Sequence, residues 1–267
     1  MIYYQYFSIE SCLIYLSTEL LKVSIPNRIN DPFEFLPNFV KIEDKEILRQ
    51  QALKQNIADL LISKFNNDPN FIAKYGIMTI NRWPIVVEND MDNIIKFYKD
   101  SSSFAIQNHF QDVLNEISLI YGMVCFSSKK DSILMWSHYA KEHSGVVIGF
   151  GKFPLWIKIQ KVKYSKKRIP VKFGFEIVDI NDLKEVFFNK NINWKYEHEY
   201  RLGIYLSDCI KNKNDYYIKV PLTTIKAIYF GIKTAENDIV KIQNIVNANI
   251  AYFKGKYNYS DYKIDFL

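Results

Sequence analysis

The second half of the chain, from residue 121 onward, carries short apolar runs rich in Val, Ile and Tyr. Runs of this length and composition are typical of strands in an antiparallel sheet. They read YGMVCFS, GVVIGF, WIKIQKVKY, EYRLGIYL, YYIKVPL, IKAIYFGI, IAYFKGKY and YKIDFL. Apolar residues at helical spacing interrupt these runs at 131–143, near 181–190 and at about 234–248. The pattern therefore predicts a sheet with intervening helices.

The N-terminal segment combines a strand pattern with a helix pattern. Residues 2–7, IYYQYF, are aromatic and strand-like, and residues 9–21 carry leucines at helical spacing after a Ser8 cap. KVSI, residues 22–25, predicts a second short strand. The Asn-Asp-Pro sequence at 30–32 predicts a turn, because proline fixes φ and Asn and Asp favour turns.

The segments 42–65 and 89–120 are helical in pattern, with one polar and charged face. Between them, DPN and RWP predict breaks. We therefore expect a single α+β domain over residues 1–267, with a mostly antiparallel sheet and a helical lobe, residues 42–120, inserted in it.

Composition narrows the classes of protein. The chain of 267 residues has a net charge of +6, and its basic residues concentrate in 158–173, which either contacts phosphates or forms a solvated hairpin. Three cysteines lie far apart in sequence without a CxxC pair, which argues against a disulfide scaffold and fits a reducing cytoplasm. The N-terminal apolar run is interrupted by Glu10 and Glu19, so we expect no signal peptide and no membrane association.

Several motifs of known chemistry are missing from the sequence. It contains no P-loop, no GxGxxG and no GxSxG, so kinase, Rossmann and ordinary hydrolase functions are unsupported. HYAKEH is not a zinc-binding HExxH, because His138 and His143 are five residues apart and diverge around a helix. We therefore expect no metal site here.

One candidate constellation lies in DSILMWSHYAKEH, residues 131–143. On a helix, Trp136, Tyr139 and His143 fall at i, i+3 and i+7 and form one stripe. This stripe is either core packing with polar tips at its edge or an aromatic wall against a flat ring such as a nucleobase or nicotinamide.

A second candidate constellation is NWKYEHEYRLGIY, residues 193–205. On a strand, Glu197, Glu199 and Arg201 would project to one face. Two carboxylates and a guanidinium are costly to bury unless they are paired. The row is therefore either a solvent-exposed face or the floor of a cleft. The cluster from Asn30 to Glu34 is either a functional loop or an ordinary turn.

The motifs YYQYFS, LSTELLKVSIPNRINDPFE, LMWSHYAKEHSGVVIGF and WKYEHEYRL, taken together in this order, span residues 3–205. They resemble an uncharacterised bacterial family, a domain of unknown function suspected of roles in phage defence. A more distant resemblance links the opening strand and helix to DNA-targeting ADP-ribosyltransferase toxins. That resemblance implies a split antiparallel sheet with NAD in its central cleft.

The resemblance also assigns roles to individual residues. Gln5 stands where those enzymes keep histidine, and Glu199 matches their late-strand glutamate, which would stabilise the oxocarbenium-like transition state with Arg201 orienting it. The remaining expected NAD contacts and the expected base are Tyr4, Tyr6, Asn30, Asp31, Trp136, Tyr139, His143 and His138.

The resemblance implies a toxin or defence effector that modifies a nucleic acid or a protein, held in check by a regulatory or antitoxin partner. Two alternatives stay open. A metal-independent nuclease would use His138, His143 and Glu199 as general acids and bases. A non-catalytic module would use the same cleft to bind a nucleotide or a phage component.

Overall fold

The computed structural model describes residues 1–100, 114–175, 180–246 and 250–267. The chain divides into two compact units. One unit comprises residues 1–35, 117–167 and 187–267, and the other comprises residues 36–116 and 168–186. The lobe predicted at 42–120 overlaps the first segment of the second unit, to which residues 168–186 are added.

The first unit contains most of the strands. In chain order its elements are β1 (Tyr3–Phe7), α1 (Ile9–Thr18), β2 (Leu20–Val23), β4 (Tyr121–Ser127), α6 (Ile133–Tyr139), β5 (Val146–Phe150), β6 (Ile159–Lys161), β7 (Lys163–Ser165), β9 (Asn189–Asn191), β10 (Glu199–Tyr205), β11 (Ile210–Asn212), β12 (Asp215–Lys219), β13 (Ile225–Phe230), α8 (Glu236–Ile245), β14 (Ala251–Tyr257) and β15 (Ile264–Phe266). The expected α+β class with a mostly antiparallel sheet is confirmed.

Eight strands form the main sheet, in the order β15-β14-β13-β5-β1-β4-β10-β6. All neighbours in it are antiparallel except β13 and β14. β1 pairs with β5 through five residues but with β4 through one registered pair, Tyr4 and Ser127. The sheet is therefore weakly joined between β1 and β4, at its centre.

A core cluster of buried side chains packs one face of this sheet beneath α1 and α8, and it includes Leu16, Ile148, Phe150, Leu202 and Ile242. Burying such a side chain stabilises the fold by roughly 1.5–3 kcal/mol. The expected helix at 9–21 ends at Thr18, because Glu19 adopts a left-handed φ of 60° and β2 starts directly afterwards.

The second unit is mainly helical. Its elements are β3 (Asn38–Lys41), α2 (Lys45–Ala52), α3 (Gln55–Phe65), α4 (Pro69–Tyr75), α5 (Trp83–Asp100), β8 (Pro170–Phe173) and most of α7 (Ile180–Phe187). β3 and β8 form a parallel pair. Its core contains Phe65 stacked on Phe71, and Trp83, whose Nε1 donates to Ala52 O at 2.8 Å.

The predicted breaks at DPN and RWP are confirmed, because α3 ends at Phe65 before DPN and α4 ends at Tyr75 before RWP, and each sequence starts the next helix. Asp68 caps α4 by accepting from the backbone N–H groups of Asn70 and Phe71, and Pro69 occupies the first turn. Pro84 likewise lies in the first turn of α5. Proline is tolerated there because the first N–H groups of a helix have no intrahelical acceptor. Part of the helix predicted at 89–120 lies outside the described residues.

Candidate functional site

A cleft of about 320 Å³ opens in the first unit where β1 and β4 separate. β1 contributes Tyr4, Gln5 and Tyr6 to its lining, and β4 contributes residues 125–127. The remaining lining side chains come from the loop after β2, from α6, from β9, from the 3-10 helix that ends at Glu197 and from the start of β10. Aromatic walls with a few polar groups at one end are typical of small-molecule sites.

Buried charged side chains gather at this cleft. The members of the charged cluster are Glu34, Lys190, Glu197, Glu199 and Arg201. No side chain among them is more than 7% exposed. Since burial of a charge is expensive without a partner, the pairing within the cluster decides its chemistry.

Arg201 is fully engaged within the cluster. Its Nε donates to Glu199 Oε1 at 2.7 Å and its Nη2 to Glu199 Oε2 at 2.9 Å. The same Nη2 donates to Glu34, and Nη1 donates to Phe187 O at 2.6 Å. This fork grips the Glu199 carboxylate at both oxygens, a geometry that lysine cannot reproduce.

Lys190 joins all three carboxylates. Its Nζ lies 2.6 Å from Glu197 Oε2, 3.3 Å from Glu199 Oε2 and 3.4 Å from Glu34 Oε2. The ammonium also lies 4.8 Å from the ring centroid of Trp194, which forms a cation–π contact. Burial alone would lower the pKa of Lys190, but the surrounding carboxylates raise it, so the side chain is held as a cation.

The cluster contains three carboxylates and two cations, so one negative charge is in excess when all are ionised. Burial alone would raise the pKa of Glu199, but Arg201 and Lys190 outweigh burial and lower it to about 2. For Glu197 burial dominates and raises the pKa, with a further contribution from the charge of Glu199. Two neighbouring carboxyls are thus pushed in opposite directions, a pattern that separates acid and base roles in enzymes.

Neighbouring hydroxyl groups fix Glu197. Tyr139 Oη donates to Glu197 Oε1 at 2.6 Å, and Ser127 Oγ donates to the Glu197 carbonyl at 2.6 Å. Burial and the nearby Glu197 charge raise the pKa of Tyr139, which keeps its hydroxyl a donor. The orientation of Glu197 therefore depends on α6 and β4 as well as on its own segment.

The backbone around Glu197 differs from the continuous strand that we predicted. Ile192–Glu197 forms a 3-10 helix capped by Asn191, and His198 adopts a left-handed φ of 46° before β10 begins at Glu199. Glu197 and Glu199 therefore converge on one lysine through a reversal of the chain. The solvent-exposed alternative for this row is wrong, because all its members are buried.

The stripe predicted on the helix at 131–143 does not form. α6 ends at Tyr139, and residues 141–143 have φ values of 47°, 54° and 70°. Trp136 is fully buried, donates from Nε1 to Lys130 O at 2.7 Å and packs against Tyr6, and His143 stacks on it. Neither Trp136 nor His143 lines the cleft.

The other expected residues divide between cleft and surface. Tyr4, Gln5, Tyr6, Asn30 and Tyr139 line the cleft. His138 is exposed, and its Nδ1 lies 3.1 Å from Tyr196 Oη. Asp31 forms a turn by accepting from Phe33 N at 2.9 Å. His138 and Asp31 are therefore not among the lining residues.

Sequence reasoning missed two members of the charged cluster. Lys190 lies in an unremarkable FNKNI sequence that carries no local signal. Glu34 was noted only as part of a turn, although binding and catalytic residues often lie on loops. One Gln5 atom, Oε1, is buried without a hydrogen-bond partner beside the cleft.

Within the described ranges, no group of three or more His, Cys, Asp or Glu side chains is arranged to hold a metal ion. The same ranges contain no helix with the length and apolar character needed to span a membrane. The cysteines at 12, 125 and 209 are free thiols.

Comparison with known proteins gives limited help. Neither the curated proteins nor the solved structures contain a significant match to this chain. Residues 135–202, about a quarter of the chain, match the model of an uncharacterised family described as protein of unknown function (DUF2971). The matched range starts in α6 and ends in β10, so it includes Tyr139 and four of the five residues of the charged cluster.

Proposed function

We propose that this protein cleaves NAD at the bond between nicotinamide and ribose and transfers ADP-ribose to an acceptor. The observation that carries the proposal is the buried cluster beside the cleft, in which three carboxylates share two cations. We assign the excess charge to Glu197, because burial raises its pKa while Glu199 is held ionised by Arg201. A fixed negative charge in a water-poor site stabilises a cationic transition state without reorganisation during the reaction. The weak junction between β1 and β4 supports the comparison with split-sheet transferases.

The reaction needs few catalytic groups. The C1′–N bond breaks, its electron pair leaves with nicotinamide, and positive charge develops on the ribose as in glycoside cleavage. Glu197 would complement this charge and then take the proton from the attacking acceptor hydroxyl or amine. A carboxyl with a raised pKa is better suited to accept that proton than one held near 2.

Glu199 and Arg201 then take roles different from those that the family resemblance implies. Both oxygens of Glu199 accept from Arg201, which leaves this carboxylate little capacity for a ribose hydroxyl. We assign the pair to positioning Lys190 and, through it, Glu197. Tyr139 would hold Glu197 as the reaction proceeds.

The cleft dimensions fit the reacting half of NAD. A volume of about 320 Å³ lies at the lower end of the range for small-molecule pockets, so nicotinamide riboside fits and the adenosine half would extend beyond it. Tyr4, Tyr6 and Phe126 supply aromatic surface for the nicotinamide ring. Asn30 and Gln5 supply polar groups for a ribose or an amide.

A second candidate function is a non-catalytic module that binds a nucleotide in the same cleft. It is favoured because Glu199 is paired with two cations, Lys190 and Arg201. In that case the cluster would rigidify the site and no bond would break. The nuclease alternative draws no support from His138 and His143, since neither lines the cleft. We extend the transferase proposal to a toxin or defence effector that a regulatory partner restrains. We place it in the cytoplasm, because three free cysteines are compatible with a reducing compartment.

The test is release of nicotinamide from NAD by the full chain, measured chromatographically with and without bacterial lysate. We expect Glu197→Gln to reduce release by about a hundredfold or more. Glu142→Gln is the matched control, because Glu142 is exposed and lies outside the cleft. Transfer of label from adenylate-labelled NAD to protein or nucleic-acid fractions then identifies the acceptor class.

Each result decides between the candidates. Folded wild-type protein that releases no nicotinamide and transfers no label in lysate would overturn the transferase proposal. If the same protein binds NAD without turnover, the binding module replaces it. Equal release by wild type and Glu197→Gln would remove Glu197 from the chemistry.

A further inference from the structure

One wall of the cleft is a loop that lies outside the strands. Residues 28–35, referred to below as the wall loop, begin at the end of the 3-10 helix Pro26–Arg28 and stop where the chain passes from the first unit into the second. Arg28, Ile29, Asn30 and Glu34 of this loop line the cleft. Because none of residues 28–35 belongs to a strand, side-chain contacts decide the position of the wall loop.

Side chains tie the wall loop to the first unit at both of its ends. At its start, Arg28 Nη1 donates to Asn214 O at 3.0 Å. At its end, Glu34 accepts from Arg201 Nη2, and Glu34 Oε2 lies 3.4 Å from Lys190 Nζ. The Arg28 side chain is 55% exposed, whereas the Glu34 side chain is 2% exposed. Because water screens an exposed contact, breaking the buried Glu34 tie costs more than breaking the Arg28 tie.

Arg201 contacts two of the segments in which the chain crosses between the units. On the outgoing segment it binds Glu34, and its guanidinium lies 5.2 Å from the ring centroid of Phe35. On a returning segment its Nη1 donates to the carbonyl of Phe187, the residue at which the chain re-enters the first unit. The rings of Phe35 and Phe187 also pack, with centroids 5.2 Å apart. One guanidinium therefore joins both crossings to the Glu199 carboxylate.

Two features oppose the attachment of the wall loop. Phe35 has a left-handed φ of 60°, which a bulky residue adopts only when its surroundings hold it there. Glu34 is also the third carboxylate of the charged cluster, and if it withdrew, the two cations would balance the two remaining carboxylates. Ion pairs thus hold the wall loop against backbone strain and excess charge, and residues strained in this way are common in switch regions.

We propose that Glu34 is the positioning residue of a wall loop that opens: its release from Arg201 and Lys190 moves the loop off the cleft, and its return completes the charged cluster. Access to the cleft and the excess negative charge of the cluster then change together. The catalytic role of that charge rests on the proposed function, whereas the opening of the loop is independent of it. A ligand would enter a balanced site, and closure would add the carboxylate that supports a cationic transition state.

The three free cysteines report this opening without any ligand. Cys125 lines the cleft, Cys12 is fully buried in the main core, and Cys209 is partly exposed. The test is the rate at which iodoacetamide labels each cysteine of the full chain, resolved by peptide mass spectrometry. We expect Glu34→Gln to speed the labelling of Cys125 by at least about tenfold and to leave that of Cys12 unchanged. Glu43→Gln is the matched control, because Glu43 is exposed and lies outside the cleft.

Two further variants separate movement of the loop from loss of charge. Burial raises the pKa of the Cys125 thiol and the charge of Glu34 raises it further, so Glu34→Gln makes the thiol more reactive even if nothing moves. Glu34→Asp keeps the charge but shortens the side chain by one methylene, so that it no longer reaches both cations. Arg28→Gln breaks the other tie and leaves the charged cluster intact. We expect both variants to speed the labelling of Cys125, Glu34→Asp by about tenfold and Arg28→Gln by about twofold.

Faster labelling of Cys125 in Glu34→Gln alone would be an effect of charge on the thiol and would overturn the proposal, as would unchanged labelling in all three variants. Equal rises at Cys12 and Cys125 would report global unfolding. If both Glu34 variants unfold in this way, Arg28→Gln decides, and the absence of a rise at Cys125 in that variant contradicts an opening loop. Labelling needs no NAD, so absence of nicotinamide release leaves its result intact. If release is found, unchanged release in Glu34→Asp would remove the catalytic role of loop closure.

Discussion

Two segments of the first unit are rich in polar aromatic or charged residues, and these residues have different roles. The aromatic segment, residues 131–143, is rich in side chains that often form sites, yet Trp136 and His143 lie outside the cleft and His138 lies at the surface. The charged segment, residues 189–201, supplies four buried ionic side chains to one cluster.

Polar side chains of the two segments differ in what offsets the cost of their burial. Trp136 is fully buried in an apolar cluster and its polar atom is satisfied by a backbone carbonyl, so it stabilises the fold. Lys190, Glu197 and Glu199 are buried against each other, where each depends on the others to offset desolvation. Tyr139 is the link, because it lies on α6 and donates to Glu197.

The strongest test of this contrast is Arg201→Met. It leaves three buried carboxylates with one cation, so we expect the free energy of unfolding to fall by about 3–5 kcal/mol in urea titrations. Arg49→Met is the control, since Arg49 forms a two-hydrogen-bond pair with Glu46 at the surface and should change stability little. Equal losses in the two variants would contradict the special status of the buried cluster.

Acid should weaken the charged segment before the aromatic one. The folded pKa of Glu199, about 2, lies below its ordinary value of 4.5. Ionised Glu199 therefore stabilises the protein above about pH 4.5, and this contribution disappears as pH falls from 4.5 to 2. Urea titrations at several pH values in this window should show a steeper loss for wild type than for Glu199→Gln. Parallel pH profiles would show that Glu199 does not bear the depressed pKa.

Tyr139→Phe tests the link between the two segments. The Tyr139 hydrogen bond favours ionised Glu197, so its loss should raise the pKa of Glu197 further. If Glu197 acts as base, the acidic limb of the pH profile of nicotinamide release should move to higher pH, with activity at neutral pH lower by about tenfold. Tyr75→Phe is the control, because its hydroxyl bonds Asp90 in the second unit. A profile that falls in height but does not shift would mean that Tyr139 only packs.

The smallest effect is expected for His138→Gln. The side chain is exposed, and the one polar contact described for it is with Tyr196 Oη. The free energy of unfolding should therefore change by less than about 0.5 kcal/mol. Nicotinamide release should stay within about twofold of wild type. A large loss of activity with intact folding would restore the catalytic role that we predicted for His138.

Much of the fold was predictable because local patterns carry it. Alternating and clustered Val, Ile and Tyr marked the strands from residue 121 onward, and Leu48 and Leu61 belong to helices whose buried faces were visible in the sequence. The errors fell at helix ends, since the helix predicted at 9–21 stops at Thr18. The breaks predicted at DPN and RWP lie where α4 and α5 start, because proline is tolerated in the first turn of a helix.

By itself, the sequence determined the class of fold, the strands of the sheet and the presence of Glu199 and Arg201 as a pair two residues apart on a strand. Only the tertiary structure shows that Lys190 and Glu34 complete the cluster, so that three carboxylates share two cations. The physical reason is that charge balance and desolvation are sums over neighbours in space, and Glu34 lies 167 positions from its partner Arg201 in the chain.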